Sequence, residues 1–381
     1  MTLSLRPVWA EVDLDAVAHN VHALRALVAP ASVLAVVKAD AYGHGALPVA
    51  RAAIDAGAAM LGVALVEEGV ALRHGGVQAP VLVLSEPVAA AADAVVEHRL
   101  VPAVYTAEGI DALGAAAARA SVRLAVHLKV DTGMHRVGCR PDDAVALASR
   151  VVANSALELD GVLTHLAVAD EVGHDYNDRQ LDRFDDVLAA LAAHDIRPRV
   201  VHAANTAAAL TIPRARYDMV RPGIGLYGIE PAPGLGRSVD LRPVLSVKAQ
   251  ISFVKRVGAG EAVSYGLRRP LARDSWLATV PIGYADGVPR GLGKHGGEVL
   301  VGGRRRPIAG TVTMDQILVD LGDDECAAGD EVVLIGAQGD ERITVQEWAD
   351  RLDTIGYEIV CGIGPRVPRR FSGAAAPRGR S

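Results

Sequence analysis

From Val33 onward, short apolar runs alternate with Ala-rich amphipathic segments, the pattern of buried parallel strands separated by helices. The runs predict strands at 33–37, 59–65, 81–85, 100–105, 123–130, 159–165, 199–203 and 217–221. Helices are predicted between them, near 46–57, 67–75, 88–98, 107–120, 141–154, 176–194 and 206–211. Eight strands alternating with helices point to a (β/α)8 TIM-type barrel. A doubly wound open sheet shares the alternation, but no Gly-rich dinucleotide fingerprint follows the first strand. After residue 238 the spacing changes to runs such as SVKAQISFVKRV, SWLATVPIGYAD and DEVVLIG, punctuated by Gly and Asp, which predict a mostly antiparallel β domain. One helix is expected inside it, at TVQEWADRLD, where Thr344 and Glu347 have capping-box spacing. The expected division is a barrel over 1–238, with GLGRS at 234–238 as linker, a β-rich C-terminal domain over 239–371, and a disordered tail over 372–381.

Composition narrows the classes. At 381 residues, half of them hydrophobic, the chain is too long for one ordinary core and long enough for a barrel of roughly 250 residues plus an addition. A net charge of −6, with no basic block beyond Arg304–Arg306, argues against nucleic acid or an anionic membrane surface as partner. The opening stretch carries Arg6, Glu11, Asp13 and Asp15 with no apolar run suited to a signal peptide, and no later run reaches the ~18 residues of a membrane span. Cys139, Cys326 and Cys361 are far apart and form no C-x-x-C or Cys/His pair at zinc spacing. A cytoplasmic, metal-independent protein is expected.

The first strand ends at Lys38, within VLAVVKADAYGHG. A buried run ordinarily expels charge. An amine at the mouth of a buried sheet is partly desolvated, which leaves a nucleophilic neutral fraction able to condense with a carbonyl; a lysine simply leaving a strand for solvent occupies the same position. In a barrel, catalytic groups sit at the carboxyl ends of the strands. The polar residues there are Lys38, then Lys129, Asp131 and Arg136, then His165, then Asn205 and Thr206, and finally Arg221 with Gly223. Each has an ordinary alternative, such as a satisfied core histidine for His165, a salt-bridge partner for Arg221 or an N-cap for Thr206. Barrel enzymes often hold phosphate with the loops after strands seven and eight, here HAANTAAA and RPGIGLYG. Together with Lys38 they suggest a phosphorylated cofactor that reacts with an amine, and pyridoxal phosphate fits. In the second domain, VSYGLRR sets Tyr265 between Ser264 and Gly266, and VTMDQ sets Met314 before Asp315; a rim aromatic and a core methionine are the ordinary readings.

Taken in order, VVKADAYGHG, KVDTGMHRVG, LTHLAVADE, HAANT, MVRPGIGLYG, VSYG, IGYADG, TVTMDQ and GYEIVCGIGPRVPR closely resemble the alanine racemases, from about Val8 to Arg370. The resemblance implies a barrel followed by a β domain, a homodimer with shared active sites, and interconversion of L- and D-alanine with pyridoxal 5'-phosphate, the D-alanine feeding peptidoglycan. It makes Lys38 both the residue that binds the cofactor and the base on one face of the substrate Cα, with the partner subunit's Tyr265 acting on the other face. Two groups are needed because a proton returned to the face it left regenerates the same enantiomer. Tyr42, Thr206, Tyr357 and the backbone around Asn205, Gly223 and Ile224 would hold the phosphate. Arg136 would bond the cofactor's phenolic oxygen near the substrate carboxylate, which the backbone N–H of the partner subunit's Met314 would also reach. His165 would lie beside the ring and link Tyr265 to Arg221. Arg221 would donate to the ring nitrogen; having donors only, it disfavours protonation there and keeps the ring a weak electron sink, which suits racemisation over transamination. Lys129 matches a lysine often carbamylated in the family, a plain ion pair being the alternative.

Some positions depart from the family pattern. Thr311, Val312 and Thr313 stand where the family commonly has Arg, a small or apolar residue, and Cys or Ser, which removes a cation near the entrance. Thr206 replaces a frequent Ser, while Asp170, Tyr284 and Arg290 keep matching positions. A serine or broad-specificity racemase, a non-catalytic pyridoxal-phosphate carrier and a barrel decarboxylase are the competing readings. The β domain with Tyr265 weighs against the carrier, and Arg221 against the decarboxylase.

Overall fold

The computed structural model describes residues 5–236, 239–374 and 376. They form two compact units, each assembled from separated stretches: one from Ala16–Ala41 and Ala46–Arg242, the other from the residues up to Asp15, Tyr42–Gly45 and the chain from Pro243 onward. Arg237 and Ser238 of the expected linker, and residues 375 and 377–381 of the expected tail, lie outside the described residues.

The chain opens with strand β1 (Val8–Asp13), which belongs to the second unit, and helix α1 (Leu14–Val28). The alternation that begins at Val33 foreshadows neither. Eight strands then build the first unit: β2 (Ser32–Val36), β3 (Met60–Val63), β4 (Val81–Val83), β5 (Val101–Val104), β6 (Leu124–Lys129), β7 (Leu157–Leu163), β8 (Val200–His202) and β9 (Met219–Val220). They pair in parallel in the order β8-β7-β6-β5-β4-β3-β2-β9. The seam between β9 and β8 is bridged by Asp218 N donating to Val201 O (3.0 Å) and Arg221 N to Ala204 O (2.8 Å), so the sheet closes into the expected (β/α)8 barrel. β3 and β4 are buried at every residue, as strands covered on both faces must be. β9 is shorter than its apolar run because Pro222 restricts the backbone before it and lacks an N–H to extend the ladder.

The connecting segments are α2 (Lys38–Gly43), a single helical turn, then α3 (Ala46–Asp55), α4 (Val66–His74), α5 (Ala92–Glu97), α6 (Ala107–Arg119), α7 (Ala144–Ala153), α8 (Tyr176–Ala193) and α9 (Thr206–Thr211). α6 shows why these segments are helical. Thr106 caps it by accepting from Gly109 N at 2.9 Å, and Ile110, Leu113, Ala116 and Ala117 recur at three- and four-residue spacing to make one buried face. Truncating Leu113 to Ala would cost about 2–5 kcal/mol through lost burial and the cavity left behind. No helix among the described residues is long and apolar enough to cross a membrane.

The second unit is mostly antiparallel. It contains β10 (Leu245–Gln250), β11 (Phe253–Val257), β12 (Ser275–Val280), β13 (Glu298–Val301), β14 (Arg304–Pro307), β15 (Ile317–Gly322), β16 (Glu331–Gln338), β17 (Glu341–Ile343) and β18 (Arg369–Ser372). One sheet runs β14-β13-β16-β10-β1-β18, with β17 on β16; β11, β12 and β15 form another. β1 lies antiparallel to β10 and parallel to β18, so the first and last strands among the described residues are neighbours. The expected helix is α10 (Val345–Arg351), capped by Thr344 accepting from Glu347 N at 3.0 Å. A second helix, α11 (Gly356–Gly362), follows it where only one was expected.

Candidate active site

β2 is apolar and buried, and it delivers Lys38 to the carboxyl end of the barrel. The backbone beyond it winds left-handed, with φ of 52° at Ala39, 52° at Asp40, 55° at Ala41 and 53° at Tyr42. For L-residues this hand costs roughly 1–2 kcal/mol each, so the turn must be held by its surroundings. Glu68 does much of the holding. One carboxylate oxygen accepts from Ala39 N at 2.6 Å, and the other from Ala64 N at 2.8 Å and Leu65 N at 3.2 Å, tying the turn to the end of β3. Asp40 Oδ1 accepts from Ala46 N at 2.7 Å.

Arg221, just beyond β9, is 4% exposed. It donates to Thr164 O (2.7 Å), Ala203 O (2.9 Å), His165 Nδ1 (3.1 Å) and His202 Nδ1 (2.9 Å), all neutral acceptors. Burial pushes the guanidinium down to about 9, which leaves it cationic at neutral pH. Burial, then Arg221, Arg136, Lys129 and Lys38, hold His165 well below its ordinary value, so this imidazole is neutral. Its Nδ1 accepts from Arg221 and its remaining proton is on Nε2.

Lys129, the last residue of β6, donates to Leu84 O at 2.9 Å. Burial first, and then the charges of Arg221, Arg136 and Lys38, bring its amine down to about 8. Four cationic side chains thus share one mouth, a surplus of positive charge that asks for anions. The loop of Arg136 is shaped by Asp131 Oδ1, which accepts from Gly133 N and His135 N, both at 3.0 Å. At α9 the helix cap is Asn205, whose Oδ1 accepts from Ala208 N at 3.0 Å, so the Thr206 hydroxyl is spared that duty. It accepts instead from Gly223 N (3.0 Å) and Gly225 N (3.3 Å), binding the start of α9 to the loop on either side of Ile224. A Cβ at Gly225 would stand 2.7 Å from Thr206 Cγ2, so glycine is required for this approach.

The other expected residues lie in the second unit. Tyr42 is buried, its ring centroid 6.0 Å from that of Tyr357, and burial raises its phenol far above the ordinary value, with Tyr357 and Cys361 adding to the effect. Tyr265 is 74% exposed and Met314 53% exposed. Two bonds clasp the Tyr265 turn to the neighbouring loop: Thr311 Oγ1 donates to Tyr265 O at 2.8 Å, and Ser264 Oγ donates to Thr311 O at 2.6 Å. The Met314 carbonyl accepts from Ala285 N at 3.0 Å, and Thr313 O accepts from Tyr284 N at 2.9 Å.

Residues 12–231 match the family model for the alanine racemase N-terminal domain, and residues 244–371 that for the C-terminal domain. A curated alanine racemase from Symbiobacterium thermophilum is 49% identical over 373 residues, 98% of this chain and 99% of that protein. The chain belongs to the alanine racemase family. Among solved structures of the family, alanine racemase from D-cycloserine producing Streptomyces lavendulae is similar at 42% identity and a TM-score of 0.92, with 98% of each chain covered. A histidine racemase from Leuconostoc mesenteroides is also similar, at 33% identity and a TM-score of 0.89 over 97% of this chain and 99% of that one. Sequence reasoning singled out the charged members of the mouth but missed Glu68 and the clasp by Thr311. Glu68 carried one usable signal, an acid in the first turn of a helix starting beside the Lys38 strand.

Proposed function

We propose that the protein is a pyridoxal-phosphate-dependent alanine racemase, and that Lys38, Lys129, Arg136 and Arg221 at one barrel mouth are the observation that carries this reading. The donor set suits the cofactor: cations for its anionic groups, the Thr206 hydroxyl proton, left over after its oxygen accepts from Gly223 N and Gly225 N, for a phosphate, and an amine at Lys38. Tyr42 and Tyr357 would complete the phosphate site, with Asn205, Gly223 and Ile224 contributing backbone. When bound, pyridoxal phosphate supplies an aldehyde carbon for an amine and a ring that weakens the bonds at the amine's α-carbon.

The chain's own residues then decide the outcome. Lys38 holds the cofactor and moves a proton at one face of the substrate Cα; the partner subunit's Tyr265 serves the opposite face. Arg136 and the backbone N–H of the partner subunit's Met314 would orient the carboxylate, leaving one face of Cα to each of the two groups. Arg221, held by neutral acceptors, stays a donor and discourages a proton on the ring nitrogen. His165, which accepts from Arg221, would link it to the partner subunit's Tyr265. Among the described residues Lys129 has no anionic hydrogen-bond partner, and an amine lowered to about 8 reacts readily with carbon dioxide; carbamylation, with loss of the amine proton, would add negative charge to a mouth whose cations outnumber Asp131. The product D-alanine would enter peptidoglycan, with the enzyme acting in the cytoplasm as a homodimer.

Racemisation of L-alanine by the purified protein is expected, together with a visible cofactor absorbance that Lys38→Ala removes. No D-alanine formation would sink the reading. L-serine and L-histidine belong in the same assay, because a similar fold carries a histidine racemase and one extra group in a pocket is discriminated by only ~1–3 kcal/mol.

A further inference from the structure

Arg221 begins a row of buried polar groups that runs down the inside of the barrel. Its Nη1 donates to His202 Nδ1 at 2.9 Å, His202 Nε2 lies 2.9 Å from His127 Nδ1, and His127 Nε2 lies 3.2 Å from Asp160 Oδ2. Asp160 accepts two bonds from Arg199, at 2.7 and 2.8 Å. Both histidines are completely buried and Asp160 is 7% exposed, whereas the side chain of Arg199 is largely in solvent.

One arrangement of protons satisfies every link. A guanidinium has donors only, so His202 Nδ1 must accept and the proton of His202 is on Nε2. That N–H donates to His127 Nδ1, which leaves the His127 proton on Nε2, directed at the carboxylate. All the bonds point the same way, from the cation at the mouth to the carboxylate inside, and bonds aligned in this way polarise one another. The barrel is shaped for the row. A Cβ at Gly161 would sit 2.6 Å from both Cε1 and Nδ1 of His127, so a side chain there would displace the ring. Every acceptor that touches Arg221 is neutral, and Asp160 is the carboxylate that reaches it through the imidazoles.

We propose that Asp160 is a positioning residue for the racemisation: through His127 and His202 it fixes the acceptor edge offered to Arg221 and supplies the remote counter-charge that holds the guanidinium as a cationic donor at the cofactor. The inference rests on the reading of this mouth as a pyridoxal-phosphate site. It makes a buried acid near the middle of β7 part of the reaction's control without contact with any reacting atom.

Nitrogen NMR of the imidazole-labelled whole protein is expected to show His127 and His202 neutral and protonated on Nε2 alone, with or without cofactor. A proton on Nδ1 of His202 would overturn the proposal. Asp160→Asn keeps the shape and an acceptor oxygen but removes the charge. In that holoenzyme kcat should fall about tenfold at unchanged KM, in line with the loss of an outer partner behind a ligating group, and the visible spectrum of the bound cofactor should change. Wild-type kcat with a wild-type spectrum would overturn the proposal. Should Asp160→Asn fail to fold, Arg199→Gln at the exposed end loosens the same carboxylate and is expected to change the spectrum too; an unchanged spectrum would count against the relay. A wild-type protein that binds no pyridoxal phosphate would overturn the site reading and the proposal with it, a result told apart because the imidazole protons are read without cofactor.

Discussion

Thr311 stands where the family commonly has an arginine, and its side chain is committed to the carbonyl of Tyr265. That gives the substitution a structural role: the turn carrying the proposed second base is clasped by the residue that departs from the pattern. Thr311→Val keeps the shape and deletes the hydroxyl, at a cost of about 0.5–1.5 kcal/mol for a single hydrogen bond. Racemisation should slow several-fold while the cofactor spectrum stays unchanged; equal rates for variant and parent would show that the clasp does not matter to Tyr265. At this scale the sequence was legible where charge stands out against an apolar strand end, as at Lys38, Lys129 and Arg221. It was opaque where identity does not reveal partners. Thr206 has the position of a helix cap, yet Asn205 caps the helix and frees the Thr206 hydroxyl for the glycine loop. His127, His202 and Asp160 sit inside strands, and nothing in their local sequence says that they face one another.

The element with the least foreseeable geometry is α2. Left-handed backbone is ordinarily announced by Gly or Asn, and here Ala39, Asp40, Ala41 and Tyr42 adopt it because Glu68 and Asp40 hold the amides around them. Glu68→Ala removes three amide bonds to one carboxylate and should lower stability by roughly 2 kcal/mol, read by chemical denaturation. Amide exchange at Ala39, Ala64 and Leu65 should accelerate together, and exchange at parental rates would refute the holding role. The barrel strands, by contrast, could be read to within a few residues because strands buried on both faces leave unbroken Val, Leu and Ala runs. β1 escaped because its six residues include Glu11 and Asp13 and its partners lie more than two hundred residues along the chain. The spacing of Thr344 and Glu347 found a true cap, but the Glu347 carboxylate pairs with Arg305 and Arg351.

For the whole molecule, three imidazoles set the acid limit, two of them completely buried and the third, His165, half-buried. His127, His165 and His202 are all held below their ordinary value of 6.5, with burial the largest cause. The unfolded chain takes up these protons near pH 6.5 and the folded one does not, so stability is complete above that pH and falls below it. The loss approaches about 1.4 kcal/mol per pH unit for each group. Asp160, held well below its ordinary value by His127 before Arg199, adds a loss only as pH drops through the carboxylate range. Tm should therefore decline clearly between pH 7.5 and 5, and a flat profile would mean that these rings are charged in the folded protein. Shared active sites predict complementation: Lys38→Ala and Tyr265→Phe proteins, each nearly inactive alone, should on subunit exchange regain about a quarter of wild-type activity, since half the dimers are mixed and each holds one intact site. No recovery would mean that the two residues serve the same subunit. The place of β1 between β10 and β18 also has a consequence for biosynthesis. Val8–Asp13 leaves the ribosome long before its neighbours and acquires them only after Leu245 and then Arg369 have been made, a wait of roughly ten seconds or more at ordinary translation rates. Throughout that wait it is a bare, largely apolar strand with both edges open, so a ribosome stalled inside the barrel leaves a nascent chain with an adhesive segment, and chaperones that cover this strand should raise the yield of folded protein.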